Sequence, residues 1–213
     1  MLYPINLNLQ GRPCLVIGGG RVALRKVRSL LKADAKVIVV APAVAEEIKD
    51  LAAEGQIVWL PKSAESSDVK DSFLVICATV DTTTNRDIAI AAKKTGALVN
   101  MAAPPLELSD FTIPASESCG DLLVTFATGG KSPELARKLK IRYGPEYAAF
   151  GELLSIIEPY RRGLIQRLAD SEACAAFWRE TLDDEVMELV SQGRFDEAEE
   201  RIADAFISIG VKS

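Results

Sequence analysis

The chain has 213 residues, 48% hydrophobic and 26% charged, with a formal net charge of −5. It is long enough for one standard domain plus a small one, and apolar enough to bury a core. The acidic balance argues against nucleic acid as a partner, no apolar run approaches the ~18–20 residues of a membrane span, and the N-terminus carries no secretory pattern, so a cytoplasmic location is expected.

Short β-branched runs alternate with amphipathic stretches through the first hundred residues, the pattern of parallel strands joined by crossover helices. Strands are expected near Pro13–Ile17, Lys36–Val40, Gln56–Leu60, Phe73–Ala78 and Ala97–Met101, and their continuous hydrophobicity suits strands covered on both faces. Apolar positions at three- and four-residue steps predict helices over Val22–Leu31, Val44–Ala53 and Asn85–Lys94. The expected fold is therefore α/β, with an N-terminal Rossmann-like doubly wound parallel sheet.

After Met101, Ala-Ala-Pro-Pro breaks the alternation, and two more strand-like runs follow at Phe111–Pro114 and Leu122–Thr128. Thr128-Gly-Gly-Lys-Ser-Pro reads as a turn into a helix, with Ser132 as N-cap, Pro133 at the first helical position and Glu134 in the first turn. That helix should stop at Gly144-Pro145. From Glu146 onward only helical periodicity remains, with breaks near Asp170-Ser171, Asp183-Asp184 and Gly193. Three segments are expected: 1–110, a dinucleotide-binding domain; 111–145, a middle α+β segment; and 146–213, a small helical domain.

The motif with most chemistry is Gly18-Gly19-Gly20-Arg21-Val22-Ala23, between a strand and a helix. It matches G-x-G-x-x-A, in which Gly18 permits the tight turn, Gly20 admits a pyrophosphate and Ala23 lets helix and strand pack closely. The helix N-terminus offers free N–H groups to the phosphates. The acid usual about twenty positions on is missing, because the second strand ends Val39-Val40-Ala41-Pro42-Ala43. No arginine stands at that strand end either, so residue chemistry leaves NAD and NADP open. Thr79, at the end of the fourth strand, is a cofactor contact or simply a polar loop residue.

Histidine is absent and the four cysteines form no C-x-x-C pair, so no metal site is expected and any metal or proton chemistry falls to carboxylates, thiols, Lys, Tyr or the substrate itself. Lys131, Arg137, Lys138, Lys140 and Arg142 stand against one acid, Glu134. They are either an anion-binding patch or a solvated helix face.

Taken together, YPINLNLQGRPCLVIGGGRVALRKVRSLL, VIVVAP, CATVDTTTNRDIA, ALVNMA, DFTIPAS and ATGGKSPELARKLK resemble the precorrin-2 dehydrogenase/sirohydrochlorin ferrochelatase family, in its monofunctional form or as the N-terminal half of sirohaem synthases. The resemblance covers roughly residues 3–145, and the helical tail suits that family's C-terminal domain. It implies NAD-dependent oxidation of precorrin-2 to sirohydrochlorin, with iron insertion in some members, by a homodimer whose middle segments interlock. Cofactor contacts then fall on Gly18, Gly20, Arg21, Val22, Pro42, Ala43 and Thr79. Contacts to the polycarboxylate tetrapyrrole fall on Gly129, Gly130, Lys131, Ser132 and Arg137, which gives the cationic patch a purpose.

One departure stands out. The family carries an Asp shortly after the Asn that follows the fifth strand, and that Asp serves dehydrogenation and chelation; here the run is Asn100-Met101-Ala102-Ala103-Pro104-Pro105. Either Glu107, Asp110 or Asp81 takes the proton, or the chain is a catalytically impaired module that binds NAD or tetrapyrrole. Chelation is expected to suffer more than hydride transfer, which is largely the cofactor's chemistry. A generic NAD(P)-dependent reductase is a third reading, supported by the glycine turn alone.

Overall fold

The computed structural model describes residues 2–168 and 170–209, which form two compact units, one up to Ile113 and one from Pro114. In the first, five strands, β1 (Pro13–Ile17), β2 (Lys36–Val40), β3 (Val58–Leu60), β4 (Leu74–Cys77) and β5 (Leu98–Met101), form an all-parallel sheet in the order β3-β2-β1-β4-β5. This is the strand order of a dinucleotide-binding sheet through its fifth strand, and the reversal beside β1 opens a crevice at the strands' carboxyl ends. The expected doubly wound sheet is present.

Strand periodicity explains how both faces are filled. In β1, Cys14 and Val16 join the cluster on one face, whereas Leu15 and Ile17 join the cluster on the other. Helices α1 (Arg21–Leu31) and α2 (Glu46–Ala53) cover the first face with Ala23, Leu24, Val27, Leu30 and Ile48. Helix α3 (Thr82–Thr95) covers the second with Ile88, Ala89 and Ala92. Each Leu or Ile so buried contributes about 1.5–3 kcal/mol, so the sheet rests on many small terms. Cys14 and Cys77 are part of this core, where burial pushes their thiols up to about 11 and about 12.

Boundaries follow local chemistry. Helix α1 ends where Asp34 enters the left-handed region (φ 54°) and the Ala35 N–H donates back to the Leu30 carbonyl at 3.1 Å. Helix α3 begins at Asp81, whose carboxylate accepts from the N–H groups of Thr83 and Thr84, and ends at Gly96 (φ 82°).

In the second unit, β6 (Ala115–Cys119) and β7 (Leu122–Phe126) make an antiparallel hairpin closed by Gly120 (φ 56°) and Asp121. Helix α4 (Pro133–Tyr143) follows, with Ser132 accepting from the Leu135 N–H as the expected cap. Then come α5 (Ala148–Arg167), α6 (Ser171–Thr181), α7 (Asp184–Ser191) and α8 (Phe195–Ile209). Asp170 and Asp183 cap α6 and α7 at the breaks expected from sequence. Gly151 of α5 lies so close to the hairpin that an added Cβ would stand 2.2 Å from the Cys119 carbonyl oxygen.

One expectation needs correction. Phe111–Pro114 is not a strand: it has no partner, and Phe111 instead packs its ring on the sheet core while its carbonyl accepts from Asn100 Nδ2 at 2.9 Å. As expected, α4 ends at Tyr143 before Gly144-Pro145, and Pro145 then opens a 3-10 turn (Gly144–Tyr147) at an N-terminal position where its missing N–H costs nothing.

Candidate cofactor site

The three glycines after β1 do three different jobs. Gly18 has φ 118°, and a Cβ there would lie 2.6 Å from the Ala78 oxygen, so only glycine lets the turn cross the end of β4. Gly19 is pressed against the chain after β2: its Cβ would lie 2.2 Å from the Ala43 oxygen, and its carbonyl accepts from the Ala45 N–H at 2.8 Å. Gly20 is different. It has an ordinary φ of −83°, and a Cβ there would meet no protein atom within 4 Å. Nothing in the fold requires glycine at this position, so its use is to leave the space beside the α1 N-terminus clear.

That N-terminus is bare. Gly20 caps α1 without a side-chain hydrogen bond, and the first turn contains no acid. The helix therefore aims unsatisfied N–H groups and the positive end of its dipole at the space over Gly20, the arrangement that receives a diphosphate. The residues fit a dinucleotide on these grounds.

Other expected contacts converge on the same edge. Pro42 and Ala43 follow β2, where the Trp59 indole N–H fixes the loop by donating to the Ala41 carbonyl at 3.0 Å. Thr79 lies beside Gly18 after β4. Its hydroxyl is within 2.9 Å of Asn85 Oδ1 and 3.0 Å of the Asp81 carbonyl, so it is held rather than free.

Asn85 was not anticipated from sequence, and it organises the edge. Fully buried, it accepts from the Thr79 N–H at 3.3 Å and donates through Nδ2 to the carbonyls of Thr79 (3.0 Å) and Pro104 (3.1 Å). It thus ties the loop after β4 to the loop after β5. An Asn inside an amphipathic helix gives no local sign of partners nineteen residues away. Val80, fully exposed beside Thr79, adds an unforeseen apolar surface.

The acids expected near the reaction have other engagements. Asp81 is the α3 cap: the Thr84 hydroxyl and the N–H groups of Thr84 and Thr83 hold its carboxyl below the ordinary 3.8. Asp110 accepts from the Val99 N–H at 2.9 Å, pairs with Lys93, and donates its own N–H to the Val99 carbonyl at 2.8 Å. It latches the chain after β5 back onto that strand. Glu107 is exposed, with Arg86 3.8 Å away. Ala102 and Ala103 supply no carboxylate, and the buried Oδ1 of Asn100 has no partner.

In the second unit, Gly129 (φ 61°) and Gly130 (φ 78°) form a left-handed turn, and Thr128 Oγ1 accepts from the Ser132 N–H at 3.2 Å. The basic cluster is partly neutralised: Arg137 grips Glu134 through two hydrogen bonds, and Lys140 lies 3.1 Å from Glu117. Among the described residues Lys131, Lys138 and Arg142 form no ion pair. A groove between α5 and α8 contains Arg167, already bonded to the Phe206 carbonyl and stacked 4.0 Å over its ring, so it offers little to a ligand. Among the described residues no His, Cys, Asp or Glu cluster could hold a metal, and no helix is long and apolar enough to cross a membrane.

The first unit is a Rossmann dinucleotide-binding domain, and residues 5–115 match the family model described as putative NAD(P)-binding. Residues 149–206 match the model described as the sirohaem synthase dimerisation region. A solved structure described as SirC, precorrin-2 dehydrogenase, superposes with a TM-score of 0.74 at 32% identity, over 94% of this chain and 100% of that one. The chain belongs to the precorrin-2 dehydrogenase family of sirohaem synthesis. Sirohaem synthases of Thioalkalivibrio sulfidiphilus (40% identical, 95% of this chain) and Nitrosococcus oceani (37%, 92%) are similar to it as well. In both cases the chain spans 42% of the relative's length.

Proposed function

We propose that the protein oxidises precorrin-2 to sirohydrochlorin with NAD as hydride acceptor. The observation that carries this reading is the phosphate cradle at Gly18–Val22, with its clear space over Gly20, in a chain similar to SirC over 94% of its length. Bound NAD supplies the hydride acceptor; the protein binds and orients. The backbone N–H groups of Gly20, Arg21 and Val22 hold the diphosphate, Pro42 and Ala43 border the adenosine ribose, and Thr79 with Val80 lines the remaining edge. In the second unit Gly129, Gly130, Lys131, Ser132 and Arg137 receive the substrate, whose carboxylates pair with Lys131 and with an Arg137 that exchanges Glu134 for them.

Oxidation also releases a proton. Glu107 is the better candidate to take it, because both oxygens of Asp110 are engaged with Lys93 and Val99. Metal insertion, which needs acceptors for the pyrrole protons, is the weaker activity. We further propose that residues 1–110 serve as the cofactor domain, 111–145 as the dimerisation and substrate segment, and 146–213 as the helical domain, in a homodimer. The description of the model matched at 149–206 extends dimerisation to the helices and supports that assembly. Four free cysteines suit a reducing compartment, the cytoplasm.

The test is optical. Precorrin-2 with NAD should develop the sirohydrochlorin spectrum only when protein is added, and an unchanged spectrum at stoichiometric protein refutes the enzyme. The alanines at 102 and 103 favour a second reading, a family member that binds NAD or tetrapyrrole without turnover; tight binding with no spectral change would establish it.

A further inference from the structure

The outer face of α1 is unusual for an acidic protein. Arg21, Arg25, Arg28 and Lys32 all line one open groove of about 840 Å³ together with Ala45 and Glu47, from the segment after β2. All four cations are exposed, and among the described residues none forms an ion pair. Arg21, in the first turn, opposes the helix dipole, and Arg25 follows it at the four-residue spacing that makes like charges repel. Lys26, on the same helix, is held below its ordinary value by burial first and by the Arg25 charge second. A local rule broken without a protein partner points to a ligand that supplies the missing charge.

The ribose end of the cofactor crevice lies where this groove begins. The Gly19 carbonyl is hydrogen-bonded to the Ala45 N–H, so the turn carrying Arg21 and the segment after β2 are adjacent. No carboxylate stands at Ala41-Pro42-Ala43 to bind a free 2′-hydroxyl and repel a phosphate there. The strand end offers no cation, but α1 does. Resting on the cofactor site proposed above, we infer that Arg21, backed by Arg25, receives a ribose 2′-phosphate, so that the protein takes NADP as well as NAD. Glu47 is the one acid lining the groove and sets the limit on that preference.

Isothermal titration of the whole protein with NAD, NADP, 5′-AMP and 2′,5′-ADP tests this. NADP should bind within about tenfold of NAD, and 2′,5′-ADP should bind more tightly than 5′-AMP. Arg21→Ala should weaken NADP and 2′,5′-ADP about tenfold more than it weakens their unphosphorylated counterparts, Arg21→Lys should recover part of the loss, and Glu47→Gln should tighten NADP. The 2′-phosphate advantage should also fall as salt rises. Arg21 is exposed and among the described residues forms no ion pair, so the variants should melt no lower than the parent. The inference is overturned if NAD binds and NADP binds about a hundredfold more weakly, or if Arg21→Ala weakens both dinucleotides equally, which would confine Arg21 to the diphosphate. If neither dinucleotide binds, the cofactor site itself is wrong and the inference goes with it.

Discussion

Replacing Gly20 by alanine separates binding from folding more cleanly than any other change in the glycine turn. The backbone at Gly20 is in a region open to any residue, and the new methyl meets no protein atom within 4 Å. Two small effects on stability oppose each other: alanine is a poorer N-cap than glycine, and it removes about 0.4–1 kcal/mol of unfolded-state freedom. The melting temperature should scarcely move. Binding should suffer, because the methyl occupies the volume through which a diphosphate reaches the α1 amides. Losing one charge-assisted hydrogen bond of about 1.5–3 kcal/mol weakens a dinucleotide roughly 10- to 150-fold, and losing two should abolish measurable binding. NADH fluorescence titration beside thermal denaturation gives both quantities on one sample. The reasoning is refuted if Gly20→Ala binds NADH within about threefold of the parent, or if it unfolds on its own account. Gly19→Ala is the internal control: with a Cβ 2.2 Å from the Ala43 oxygen it should lose about 3 kcal/mol or more.

Asn85→Ala should cost about 2–4 kcal/mol in chemical denaturation, because Thr79 and Pro104 lose buried partners, and should speed amide exchange in residues 102–110; unchanged exchange there would contradict its role as a tie. Asp110→Asn should retain turnover, since an amide oxygen still accepts from Val99, whereas Glu107→Gln should lower kcat by about tenfold or more if Glu107 takes the proton; the reverse pattern would exchange their roles. Asp81 has a carboxyl held below 3.8 in the folded protein. Its stabilising effect is therefore complete above pH 3.8 and vanishes as pH falls through the folded value, so Asp81→Ala should be less stable than the parent at neutral pH and converge with it in acid. A deficit that persists unchanged at low pH would count against the capping carboxylate.

Sequence served best where the determinants were local. Continuous apolar runs located all five strands of the sheet to within two residues, because strands covered on both faces can carry few polar side chains. Ser132 announced a helix start through its own side chain, and the breaks expected near Asp170-Ser171 and Asp183-Asp184 fall where Asp170 and Asp183 cap α6 and α7. Phe111–Pro114 looked like a strand because its composition suits one, but a strand also needs a neighbour, and none is encoded locally. The site divides the same way. Gly18 was legible as a turn, yet the open space over Gly20 and the close approach of Gly19 to Ala43 depend on where the chain returns after α1 and β2. The Asn85–Pro104 tie and the Asp110–Val99 latch span nineteen and eleven residues, and no spacing rule connects them.

The division of labour among the three glycines also bears on how such a protein can change over generations. Gly18 and Gly19 are guarded by the fold itself, since altering either damages the whole molecule. Gly20 has no such guard in the fold, and on the proposed cofactor site only selection for the ligand holds it. A lineage relieved of that selection would shed the cofactor through this one position and persist as a well-folded relic, which makes Gly20 the residue to inspect first when judging whether a homologue still works.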